Sequence, residues 1–252
     1  MFKTKIYLTM KKLMVILSLA TLFSVFSCQQ DVLQDITTSD VEQQLAPVDR
    51  YTQPYDVSTV QSRSTSNWTE VAAGSVNALA AAIEATDENG VVYLKAGTHT
   101  ENDVLTINKS IKIIGETGAV LRIQSPELQL STGSNLLVMT PALHILNAPG
   151  TLIQDLTIQP LGTEGGAAIV FENSSGSAAI RNDMTGFQSN ILIEKSDRVA
   201  VMLNTIVSRK PWAVSMQPVA FGILNVNGKS TYISDNDISG ALWAIFVSDL
   251  WG

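Results

Sequence analysis

The chain has 252 residues, 45% of them apolar and only 15% charged, with a formal net charge of −7. That balance excludes an extended polyelectrolyte and leaves enough apolar material for one large buried core or two small ones. A lone cysteine excludes an intramolecular disulfide, so stability has to come from packing.

Residues 1–27 read as a leader. Lys3, Lys5, Lys11 and Lys12 form a positive start, and the run from Leu13 to Phe26 is apolar. Such a run is short for a bilayer span and suits a signal peptide. It ends in Val25-Phe26-Ser27-Cys28, which resembles the lipobox of bacterial lipoproteins. The resemblance implies that Cys28 carries the lipid and anchors the protein in the cell envelope, at the outer membrane. Gln29-Gln30-Asp31 resembles the surface-export signal of Bacteroidota lipoproteins. The leader holds four of the 16 Lys+Arg and none of the 23 Asp+Glu. The remainder carries 12 basic against 23 acidic residues, a net charge of −11. A surface of that sign argues against nucleic acid as a partner and requires a local basic patch for any polyanion.

Residues 28–66 are rich in Gln, Asp, Ser and Thr, with Pro47 and Pro54, and show no apolar period. They read as a flexible tether with a span of roughly 35 Å. The folded domain is expected over 67–252. Its one helix is expected over Ser75–Thr86, where Val76, Leu79, Ala80 and Ile83 share a face and Ser75 stands at the cap position. This short amphipathic helix would cover the end of a solenoid.

Gly90 to Gly118 then reads as strand, turn, strand, turn, strand, the first coil of a parallel β-solenoid. A periodicity follows it. Ile123, Ile145, Ile169, Ile191, Ile223 and Ile245 recur at intervals of 22, 24, 22, 32 and 22. A second series starts at Leu152, Ala178, Val199 and Thr231. Two or three short strands per ~22 residues fit one turn of a β-helix. Ile169 with Phe171, and Ile191 with Ile193, are the expected inward pairs. Asn182-Asp183, Asn204 and Asp235-Asn236-Asp237 supply turn residues. Asn204 and Asn236 fall at equivalent positions and can hydrogen-bond along the axis.

The Ala-rich helix followed by VVYLKAGTHTEN and LTINKSIKIIGETGAVL resembles the opening of right-handed parallel β-helix proteins, the pectate-lyase-like and NosD-like superfamily. The resemblance runs from Ser75 to Gly252 and implies an all-β, right-handed parallel β-helix. It is shared by lyases, hydrolases, esterases and non-enzymes, so it implies no single activity. Gly97-Thr98-His99-Thr100-Glu101 resembles the G-x-Y-x-E turn of pectin methylesterases with His99 in place of Tyr, while the later motifs of that family are absent. His144 reads as a strand or surface residue. Arg209-Lys210-Pro211-Trp212 matches two positions of the pectate lyase R-x-P-x-x-R, with Val214 in place of the last Arg.

Two places can carry chemistry. The longest of the intervals, from Ile191 to Ile223, holds about ten residues more than a coil needs, centred on Ser208 to Val219. There Arg209 and Lys210 are candidates for holding a uronate or sulfate, and Trp212 for stacking on a sugar. With Ile169 above Ile191, Glu172 and Glu194 lie one coil apart and point outward. Carboxylates that close repel, and Ca²⁺ between them would relieve the repulsion. The family resemblance implies a cationic base beside such a site, for which Lys195 and Arg209 are the candidates. The last stretch, ALWAIFVSDLWG, stops in an apolar strand, as expected of a truncated solenoid or of one that associates through its open coil. The leading expectation is an envelope lipoprotein that binds polysaccharide without a complete catalytic set. The alternatives are a lyase or hydrolase of acidic glycans, and a remnant without activity.

Overall fold

The computed structural model describes residues 67–125, 129–130, 137–138, 140–162, 165–209 and 220–248. The leader, Cys28 and the tether lie outside the described residues. Strand β1 (Trp68–Val71) and helix α1 (Ala78–Ala85) precede six coils. The first coil is β2 (Val91–Leu94), β3 (Gly97–Glu101) and β4 (Leu105–Ile107). The second is β5 (Lys112–Gly115), β6 (Ala119–Ile123) and β9 (Pro141–Leu146), interrupted by β7 (Gln129–Leu130) and β8 (Leu137–Val138). The third is β10 (Leu152–Gln154), β11 (Thr157–Pro160) and β12 (Gly165–Glu172). The fourth is β13 (Ala178–Ile180), β14 (Asp183–Thr185) and β15 (Phe187–Glu194). The fifth is β16 (Ala200–Met202), β17 (Thr205–Val207) and β18 (Phe221–Val226). The sixth is β19 (Tyr232–Ser234), β20 (Asp237–Ser239) and β21 (Trp243–Ser248).

Corresponding strands of successive coils pair in parallel, giving three sheets. Sheet A runs from β1 through β2, β5, β10, β13 and β16 to β19. Sheet B holds the middle strand of each coil and sheet C the last. The described residues therefore form a right-handed parallel β-helix, with one short helix among them. Inside, Leu105, Leu143, Ile169, Ile191 and Ile223 stack in one column of sheet C, and Ile107, Ile145, Phe171 and Ile193 in the next. All of these are buried in one continuous core. Sheet A is largely apolar outside as well. Its outward Tyr93, Ile114, Ile180 and Met202 are buried, which explains the unbroken apolar runs VVYL, KIIG and AAI.

The corners are specified residue by residue. Between sheets A and B the chain turns in two residues in the third to sixth coils. The first takes left-handed backbone at Asp155, Arg181, Leu203 and Asp235, with φ of 57°, 51°, 57° and 54°. The second is Asn in three successive coils. Asn182 donates its Nδ2 to the Asn204 side-chain oxygen at 3.1 Å, and Asn204 donates to that of Asn236 at 2.9 Å. The backbone N–H groups of Asn182 and Asn204 reach the same oxygens at 2.9 and 3.0 Å. This ladder satisfies buried amides that turn away from the sheets. Between sheets C and A, Ser174 and Ser196 do the same work: Ala148 N–H meets Ser174 Oγ at 3.1 Å and Ser174 N–H meets Ser196 Oγ at 2.8 Å.

Three expectations change. Ile123 belongs to sheet B, where it pairs with Glu101 and Pro160, and is not the partner of Ile145. Ile145 pairs with Ile107 below and with Phe171 above, not with Ile169. The intervals at Ile191, Ile223 and Ile245 hold. The helix starts at Ala78, later than expected, with Val76 60% exposed and Leu79, Ala82 and Ile83 facing the core.

Ser75 does not cap the helix. Its hydroxyl lies 3.1 Å from His99 Nδ1, while His99 Nε2 lies 2.7 Å from the Lys95 carbonyl oxygen. The carbonyl can only accept, so Nε2 carries the proton and Ser75 donates to Nδ1. Leu79 N–H donates to the Glu101 carboxylate at 2.7 Å. Both side chains come from β3 and grip the cap segment. The GTHTE run is thus a clamp that fixes the capping helix on the first coil.

Burial holds the Glu101 carboxyl above its ordinary 4.5, against the helix N–H bonds that lower it. A raised folded-state pKa contributes stability that is present at low pH and lost as pH rises through it. The stability difference, wild type minus Glu101→Gln, should therefore fall as pH rises from about 4 to 7, measured by urea unfolding. Glu101→Ala should lose about 1–3 kcal/mol by leaving helix N–H groups unpaired.

Candidate functional site

The coils differ in one connection, that from sheet B to sheet C. In the fourth coil Gly186 alone makes it, and in the third coil residues 161–164 do. In the second coil the segment 124–140 joins Ile123 to Pro141, and in the fifth the segment 208–220 joins Val207 to Phe221. Both insertions leave from the same corner of the solenoid, between sheets B and C, three coil steps or about 14 Å apart. The second is the insertion expected from the long interval between Ile191 and Ile223. The first contains the antiparallel β7 and β8 pair. The sequence period conceals it, because Ile123 and Ile145 keep the spacing of one coil although they lie in different sheets.

Between these insertions, the outer face of sheet C presents ordered columns. Thr106, His144, Val170, Leu192, Leu224 and Phe246 stack in one. Leu146, Glu172, Glu194, Val226 and Ser248 stack in the next. Ala167, Ser189, Phe221 and Trp243 are also in register, two residues before the inward Ile169, Ile191, Ile223 and Ile245. Ala167 and Ser189 are fully buried, and only the Phe221 and Trp243 rings reach the outward Phe246. At the late coils the face is aromatic. Phe221 stacks on Trp243 with ring centroids 5.2 Å apart, and Phe246 lies 5.6 and 6.0 Å from the two. Trp243 is 43% exposed and Phe246 36%, in a last described strand that is exposed along most of its length, the inward Ile245 and Val247 included.

At the earlier coils the face is polar. His144 Nε2 lies 2.8 Å from Glu172 Oε2 across one coil step, both side chains part-buried. Lys195 Nζ lies 3.0 Å from Glu194 Oε1. Lys195 sits at the left-handed corner that ends β15, with φ 47°. The hydrogen bond to Glu194, followed by that carboxylate's charge, holds the Lys195 ammonium above its ordinary 10.5. Where the insertion of the fifth coil begins, Asn190 Nδ2 donates to Ser208 Oγ at 2.7 Å. The buried Asn190 Oδ1 and Ser189 Oγ have no hydrogen-bond partner.

The expected residues fall as follows. Glu172 and Glu194 are register partners, outward and one coil apart. Each carboxylate already accepts a hydrogen bond from a nitrogen, one from His144 and one from Lys195. Ca²⁺ takes six to eight oxygens, and the two carboxylates supply at most four. Among the described residues no cluster of three or more His, Cys, Asp and Glu is built for a metal. Arg209 stands at the root of the insertion, its N–H on the Phe187 carbonyl at 2.9 Å. Lys195 is at the other end of β15 from Phe187, roughly 25 Å along the strand. The two candidate bases therefore do not share a site. Lys210 and Trp212 lie outside the described residues. The aromatic cluster is not anticipated by the sequence, and His144 reads there as inert. For His144 and Phe246 the signal is an outward parity at the correct register, whereas Phe221 and Trp243 keep the parity of the inward Ile223 and Ile245 and carry no such signal.

No family model matches this chain, and no curated protein or solved structure is found to be similar to it. Fold and geometry therefore carry the functional reading.

If Glu194 is what raises the Lys195 pKa, Glu194→Gln should bring it down toward 10.5, as followed by NMR titration of the side-chain amine. An unchanged value would mean that the ion pair does not persist in solution.

Proposed function

We propose that this protein is a cell-envelope lipoprotein whose β-helix binds polysaccharide on the outer face of sheet C. The observation that carries the reading is the Phe221, Trp243 and Phe246 cluster. It lies on the same sheet as the His144, Glu172, Glu194 and Lys195 row. Aromatic rings offer flat apolar surface to the C–H face of a sugar, while the polar row supplies hydrogen-bond partners for hydroxyls. At Lys195 the geometry favours binding over base catalysis. A lysine base must lose its proton near neutral pH, and Lys195 is pushed in the opposite direction.

The envelope address rests on the leader and the lipobox-like run before Cys28. One lipid chain binds a membrane weakly, so stable anchoring needs the multiple acyl chains that a lipoprotein cysteine carries.

Affinity electrophoresis of the mature protein in native gels containing polysaccharides tests the binding. Retardation by at least one glycan is expected, with Trp243→Ala/Phe246→Ala weakening it by about 10-fold or more, in line with loss of an aromatic anchor. Absence of retardation across a broad panel, or release of shortened products, would overturn it. For the anchor, labelled palmitate should enter the wild type in cells and not Cys28→Ala, which should leave the membrane fraction.

A further inference from the structure

We propose that the sheet C face selects neutral polysaccharide and rejects uronate-rich chains, an inference that rests on the glycan-binding reading above. Its basis is the charge that faces a ligand there. Glu172 and Glu194 stack in register on adjacent coils and both point outward. The ammonium beside them, Lys195, is held by Glu194 at 3.0 Å, and His144 is held by Glu172 at 2.8 Å. A uronate carboxylate laid on this row would meet two carboxylates whose partners are already engaged. Like charges at such spacing repel, and a cation committed to another acceptor offers little in return.

The same groups suit a neutral sugar. Carboxylate oxygens have lone pairs beyond those the imidazole and ammonium occupy, and can accept hydrogen bonds from hydroxyl groups. Trp243 and Phe246 stack without regard to ligand charge. The chain beyond the leader has a net negative charge of the same sign, 23 acidic against 12 basic residues. From Glu172 in the third coil to Trp243 in the sixth is three coil steps along the axis, about 14 Å, and five residues across the sheet, about 17 Å, or about 22 Å in all. That span fits an oligosaccharide segment and exceeds a single sugar.

The test compares native gels containing a neutral glucan or xyloglucan with gels containing polygalacturonate or alginate, at low and at moderate salt. Wild type should be retarded by a neutral glycan, with little change on adding salt, and not by the polyuronates. Glu172→Gln/Glu194→Gln removes both carboxylates and releases Lys195, so it should gain retardation by polygalacturonate of about 5-fold or more, reversed by salt. Circular dichroism of each variant confirms that the solenoid is intact. Salt-sensitive retardation of wild type by polyuronates alone would overturn the neutral class and leave the glycan reading standing. A double variant that gains nothing would also overturn it. Retardation by neither class would remove the glycan reading itself.

Discussion

Everything in this molecule depends on one constraint: each coil must place its corners directly on the corners of the coil before it. Short parallel strands cannot hold a register on their own. The corners hold it. Left-handed backbone at Asp155, Arg181, Leu203 and Asp235 turns the chain in two residues, and Asn182, Asn204 and Asn236 tie successive turns together. A left-handed non-glycine residue costs about 1–2 kcal/mol, and the ladder offsets this by satisfying amides that would otherwise be buried without partners. Arg181 adds a two-pronged pair to Asp155, at 2.7 and 2.9 Å, between stacked left-handed corners.

That constraint also decides where function can sit. The corner between sheets A and B is closed by the asparagine ladder, and the corner between C and A by Ser174 and Ser196. An insertion at either would break hydrogen bonds that run along the stack. The corner between B and C carries fewer such links among the described residues, Gly166 N–H on Ser125 Oγ at 3.0 Å being one, and varies from Gly186 alone to the whole segment 124–140. Loops can grow there, and sheet C is the surface they border. The aromatic cluster and the charged row are found on that surface. Sheet A, with Tyr93, Ile114, Ile180 and Met202 buried on its outer side, offers a ligand far less polar surface.

How much is legible in the sequence follows from the same physics. The series at Leu152, Ala178, Val199 and Thr231 locates the strands of sheet A because their corners are short and end in a recognisable Asn or Asp. The periodicity sets Ile145 against Ile169, whereas its partner is Phe171. A shift of two residues keeps every side chain on its own face, so hydrophobic alternation is blind to it. Ile123 is misplaced for a related reason: an insertion close to a coil in length leaves the count intact. Glu101 is not legible as the helix cap because its partner, Leu79, is 22 residues away, whereas sequence rules look for a cap next to the helix. Phe246 and His144 are visible as residues, but their common face emerges only once the register is known.

The register is therefore the claim to test, and paired cysteines read it directly in a Cys28→Ser background. In the structure Leu146 lies beside Glu172, in the stacked spacing of about 5 Å. A shift of two residues would place Leu146 beside Val170 instead, which otherwise lies about 8 Å away, beyond the reach of a disulfide. Mild oxidation should close Leu146→Cys/Glu172→Cys nearly completely and leave Leu146→Cys/Val170→Cys reduced, as measured by mass spectrometry of alkylated protein. Closure of the second pair and not the first would contradict the stacking described here, and with it the face assigned to the ligand.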